Sequence, residues 1–132
     1  MSVKDKALEY HRNGYNCAQS VLAACSEYAG LDDRTSLAIS AGFGGGMRSG
    51  EICGAVSGGL MALGMAFPFN DAADLEAKNK ISSLARKIVS ACRDEYGAVR
   101  CIELKQSGVS CTETIGRMAE IVEEIIKNEE IK

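Results

Sequence analysis

Six cysteines, Cys17, Cys25, Cys53, Cys92, Cys101 and Cys111, dominate the reactive side chains of a 132-residue sequence with one histidine and no tryptophan. A thiol does chemistry through its deprotonated sulfur, which serves equally as nucleophile and as metal ligand. Acid–base hydrolysis is a poor fit. Beyond His11 there is no material for a Ser/His/Asp set, and no spaced carboxylate pair stands out.

Periodicity sorts the cysteines into two groups. Cys25 and Cys92 fall within helical apolar stripes and read as small core hydrophobes. The other four lie at element edges. Cys17 follows Asn16 and Cys111 follows Ser110, two capping residues, so each is expected at a first helical position, where unpaired N–H groups and the helix dipole favour a thiolate. Cys53 leads into a third helix start, and Cys101 lies ten residues before Cys111. No Cys-x-x-Cys occurs, which removes the thioredoxin-type pair and the conventional zinc knuckle. Separated cysteines can still hold an iron–sulfur cluster or structural zinc. They can also exchange disulfides, with Cys17 or Cys53 attacking and Cys101 or Cys111 resolving. Four inert thiols near caps are the plainest alternative.

Ahead of Cys53 the stretch GFGGGMRSGEICGA, Gly42 to Ala55, places six glycines in fourteen positions. No Lys-Ser/Thr follows them and no strand precedes them, so this is not a nucleotide phosphate loop. Gly44, Gly45, Gly46 and Gly54 are expected to let main-chain N–H groups approach a sulfur or a cofactor, unless the stretch is only a surface connection. Arg48 and Glu51 are candidates to balance charge beside Cys53. His11 reads as a helix C-terminal residue, and it is the only imidazole able to replace a cysteine ligand.

These residues need helices to position them. The spacing predicts a first helix over Val3–Arg12 and a second from the Asn16 cap, closed by Gln19 in a capping box and ending at Gly30. A short helix follows within DRTSLAISAGF, then the glycine stretch, then a helix from Glu51–Cys53 through CGAVSGGLMALGM. Its internal glycines cost helix stability and imply a backbone passing close by. Met61 and Met65 read as core or dimer-interface filler. After Pro68, Asn70 or Asp71 is expected to cap a long helix over Ala72–Tyr96, while AVRCIELKQSG stays open between a turn, a helical turn and an extended piece. Ser110 and Glu113 predict a capping box for the last helix, and the tail KNEEIK is expected to fray. The expected fold is a single all-α domain over residues 1–132, a compact bundle of five to six helices with a glycine-rich loop.

The 15 basic and 18 acidic residues nearly balance, and no basic stripe suggests nucleic acid. No apolar run is long enough for a membrane span, and the polar N-terminus does not read as a secretory signal, so a cytoplasmic location is expected. A homodimer is compatible with the glycine-rich helix faces.

Taken together, GYNCAQSVL around Cys17, FGGGMRSGEICGAVSGGLMALG around Cys53, CIEL at Cys101 and SCTETIGRMAEIV at Cys111 resemble a family regarded as redox-active and named for its C, GCAxxG, C, C signature. The likeness runs from about Asn13 to Val122, with the central block written here as Cys53-Gly54-Ala55-Val56-Ser57-Gly58. It assigns the four family cysteines to Cys17, Cys53, Cys101 and Cys111, and leaves out Cys25 and Cys92. A similar domain occurs in certain multihaem cytochromes, where four cysteines are thought to hold a two-iron cluster; no haem-attachment Cys-x-x-Cys-His is present here. The resulting expectation is electron transfer to an unidentified redox partner through an iron–sulfur cluster on those four cysteines. Thiol–disulfide chemistry and structural zinc are the alternatives.

Overall fold

The computed structural model describes residues 1–131. Among the described residues the chain forms a single-domain all-α bundle of eight α-helices in the order α1 Val3–Arg12, α2 Cys17–Ala24, α3 Ser26–Ala29, α4 Asp33–Ser40, α5 Gly54–Ala66, α6 Leu75–Tyr96, α7 Cys101–Gln106 and α8 Cys111–Ile131. Between α4 and α5 run a 3-10 turn, Ala41–Phe43, and the glycine-rich loop.

Local sequence accounts for most of the boundaries. Asn16 caps α2 as its spacing predicts: its side chain accepts from the Gln19 N–H at 3.0 Å, and Gln19 Oε1 accepts from the Asn16 N–H at 3.1 Å. The expected single helix through Cys25 is instead two, because the backbone at Cys25 turns (φ −94°, ψ 9°) before α3 begins. The cap of α6 is Asp74, whose carboxylate accepts from the Ala77 N–H at 3.0 Å. Asp71, an expected cap, spends its carboxylate on the Ala73 N–H in a tight local turn. The expected box at the start of α8 is half made. Ser110 Oγ accepts from the Glu113 N–H, but the Glu113 carboxylate turns away to the Tyr96 hydroxyl.

The core is built where the apolar stripes meet. Val21 and Leu22 of α2, Val56 and Leu63 of α5, Ile88 of α6, and Ile115, Met118 and Val122 of α8 are all fully buried. Cys25 and Cys92 are equally buried, as their stripe positions predict. Burial pushes both thiols up to about 12, and the neighbouring Cys53 sulfur adds to the rise at Cys92. Met61 packs against this core, whereas Met65 is exposed.

The close backbone that the helical glycines imply is α2. A Cβ at Gly58 would come within 2.5 Å of the Ala18 carbonyl oxygen, so glycine at this position lets α5 lie directly on α2. At the other end, α8 stays helical through Ile131, contrary to the expected fraying. Ile125 and Ile126 are buried and Lys80 of α6 pairs with Glu129, which anchors the final turns. Lys132, the rest of that expectation, lies outside the described residues.

Candidate thiol site

Four helix starts converge at one end of the bundle, and each brings a cysteine. Cys17, Cys101 and Cys111 are the first residues of α2, α7 and α8, and Cys53 is the N-cap of α5. Cys17 and Cys111 follow from local capping signals. The short helix α7 has no side-chain cap and is set by a non-local backbone bridge. Here the Cys53 N–H donates to the Val99 carbonyl at 2.8 Å and the Cys101 N–H donates to the Glu51 carbonyl at 2.6 Å. Arg100 reinforces the bridge by donating to Glu51 Oε1 at 2.9 Å, so Glu51 ties the two segments together rather than facing a sulfur.

The four cysteines line a common small cavity of about 10 Å³, with Gly54, Lys105 and Thr114 also in its wall. Cys17, Cys53 and Cys101 are buried, at 6 %, 5 % and 7 % exposure, and Cys111 is half-buried. All six cysteines are free thiols. Gly54 is indispensable to this packing, because a Cβ there would collide with the Cys17 sulfur and approach the Phe43 carbonyl oxygen at 3.0 Å.

At Cys53 and Cys111 the helix start does not lower the thiol. The N–H groups of Ala55 and Val56 and the Thr114 hydroxyl favour the Cys53 thiolate, but burial outweighs them and raises the thiol. Cys111 is raised first by burial and then by Cys17 and Cys101, against the opposing pull of the Lys105 ammonium. The expectation of thiolates stabilised at helix N-termini fails at these two positions because desolvation exceeds the help of a few N–H dipoles. Thr114 is a site residue that sequence reading misses. The residue is 3 % exposed, and its hydroxyl donates to the Cys111 carbonyl at 3.1 Å.

The glycine loop supports the site from outside. Gly44 packs against the Asn16 side chain, which in turn donates to the Ala41 carbonyl at 2.9 Å. Gly45, Gly46, Met47 and Arg48 then form a left-handed turn, with φ between 58° and 64° at all four. Gly46 fits only as glycine, since a Cβ would strike the Glu51 backbone. Of the glycines expected near a cofactor, Gly54 alone lines the cysteine cavity. His11 lies outside it, with Nδ1 3.3 Å from the Tyr15 carbonyl oxygen.

Against these walls the expected metal centre does not fit. Among the described residues no group of three or more His, Cys, Asp or Glu side chains is placed to hold a metal ion. This overturns the iron–sulfur cluster expected on Cys17, Cys53, Cys101 and Cys111, electron transfer through it, and the zinc alternative. A space of about 10 Å³ accommodates at most a single water, far less than two irons and two sulfides. Lining a common wall is not the same as converging on a common centre.

A second, open hollow of about 410 Å³ lies on the outer side of α7 and the glycine loop, and Cys101 and Lys105 belong to both spaces. Among the described residues no helix is long and apolar enough to cross a membrane.

A family model described as "Putative redox-active protein (C_GCAxxG_C_C)" matches residues 15–125, which include all four cavity cysteines. No curated protein and no solved structure matches the chain. The chain belongs to the C_GCAxxG_C_C family.

Proposed function

We propose that this family member is a thiol–disulfide redox protein whose chemistry is carried by the four cavity cysteines. The observation that carries the reading is their assembly: residues as distant in sequence as Cys17 and Cys111 line one cavity as free thiols, with space for no more than a water among them. Reversible two-electron chemistry on sulfur needs only neighbouring thiols and a route to solvent.

Position divides the four into inner and outer pairs, although Cys101 is as buried as the inner two. Cys17 and Cys53 lie against the α2–α5 contact, whereas Cys111 is the least buried and Cys101 also borders the outer hollow. The outer pair is therefore the working pair. One outer thiolate attacks a substrate disulfide R–S–S–R, forming a mixed disulfide and releasing RS⁻. The second outer thiolate attacks the protein sulfur of that mixed disulfide and releases the other RS⁻. The protein gains a Cys101–Cys111 disulfide and loses two electrons and two protons, and the substrate leaves as two RSH. Closure needs the sulfurs to reach about 2.05 Å. The four-residue connection Ser107–Ser110, with Gly108 at φ +82°, supplies the segment that can adjust.

The test is peptide mapping of reduced protein after oxidation by a small disulfide, for the natural sequence and for C101S and C111S. A Cys101–Cys111 linkage, with stable mixed disulfides in the single variants, supports the proposal. A protein whose cavity thiols stay unmodified, or which links Cys25 or Cys92 instead, contradicts it.

A further inference from the structure

The outer hollow beside Cys101 is distinguished by its charge. Its wall contains Arg48 and Lys105 and no acidic residue, in a chain whose net charge is −3. The nearest carboxylates in sequence are already engaged, since Arg100 holds both Glu51 at 2.9 Å and Glu103 at 3.9 Å. Neither Arg48 nor Lys105 has a carboxylate partner among the described residues, and both are exposed. Arg48 ends the left-handed turn that starts at Gly45, and both of these residues line the hollow. Ser49 braces the turn through its hydroxyl, which donates to the Met47 carbonyl at 3.1 Å. The volume, about 410 Å³, suits a small molecule rather than an ion.

Building on the thiol–disulfide reading, we propose that this hollow binds an anionic low-molecular-weight disulfide, with Arg48 and Lys105 holding its carboxylates while its sulfur–sulfur bond lies against Cys101. Cys101 is then the attacking sulfur and Cys111, across the small cavity, the resolving one. In the first step the Cys101 thiolate bonds to one substrate sulfur, the substrate S–S bond breaks, and one carboxylate-bearing thiolate departs and takes a proton from water. In the second, the Cys111 thiolate displaces the remaining half as another thiolate. The substrate is reduced by two electrons, which the two protein thiols supply as they close into the Cys101–Cys111 disulfide.

The experiment uses the full chain, reduced and carrying C111S, so that the first adduct persists on the protein. Its rate of formation is measured with dithiodipropionate, a dianion, and with hydroxyethyl disulfide, which is neutral. At low salt the dianion is expected to react about tenfold faster, a modest value for electrostatic guidance. The ratio should fall toward one at high salt and in R48Q, and peptide mapping should find the adduct on Cys101. K105Q provides a second variant should R48Q fold poorly, and its ratio should fall likewise. Equal rates for the two disulfides in the C111S protein, a ratio untouched by either substitution, or an adduct on another cysteine would overturn the assignment of the hollow while leaving thiol exchange standing. No adduct from either disulfide contradicts thiol exchange itself.

Discussion

A thiol attacks as its thiolate, so the raised Cys53 and Cys111 thiols set the conditions under which this site works. Cys111 is held up by burial first, with Cys17 and Cys101 adding to the rise and Lys105 opposing it. Its alkylation rate should therefore climb with pH through a midpoint above the ordinary thiol value. In K105Q, with the cation gone, the midpoint should move higher still. Mass-spectrometric rates at Cys111 across a pH series measure this, and a plateau already reached at neutral pH would contradict it. Gly54→Ala tests the wall itself. The new Cβ meets the Cys17 sulfur, and overpacking of this kind costs about 1 to 3 kcal/mol, readable by chemical denaturation. Wild-type stability in that variant would mean that the Cys17–Gly54 contact is dispensable. At this scale the sequence was informative wherever the cause is local. Asn16 and Ser110 mark Cys17 and Cys111 as helix-start residues from signals three residues long. Thr114 and Lys105 give no such signal, because their value depends on how α7 and α8 meet.

Among the elements, α2 and α5 form the inner wall of the site, and their closeness rests on a small-residue face and one cap. Asn16 both caps α2 and reaches the Ala41 carbonyl, so Asn16→Ala removes a cap and a tie to the loop together. A loss of about 1 to 2 kcal/mol is expected in denaturant titration. A loss confined to a few tenths would show that Gln19 and packing suffice. The close α2–α5 approach was legible in the glycines at 54 and 58, because spacing of four puts both on one helix face. The break at Cys25 and the start of α7 were not legible, because a backbone turn sets the first and a backbone bridge between Ile52 and Arg100, braced by the Arg100–Glu51 side-chain bond, helps fix the second. The left-handed turn was equally hidden at Met47 and Arg48, whose residue types favour φ below zero.

For the whole molecule, two further thiols make an alkaline limit. Cys25 and Cys92 are fully buried and pushed up to about 12, above their unfolded value, so the folded state keeps protons that the unfolded chain releases. Their contribution is complete below the unfolded thiol value and is lost as pH rises through it to about 12. Stability should fall by about 1.4 kcal/mol per pH unit for each thiol inside that window. Cys25→Ala should flatten the slope in alkaline denaturation, and an unchanged slope would remove Cys25 from the account. The bundle itself was readable because its apolar stripes are helical and long, whereas the metal centre was misread because spacing says nothing about whether sulfurs meet around an ion or merely line a water-sized space. Thiol exchange by the cavity cysteines is the property on which the rest depends. The most direct test is to equilibrate the full chain across a series of thiol–disulfide redox buffers, count free thiols per chain, and map any linkage. Two thiols are expected to disappear in one cooperative step, joined as Cys101–Cys111, while Cys25 and Cys92 remain reduced. Six free thiols persisting across the whole series, or a first linkage outside the cavity, would contradict it.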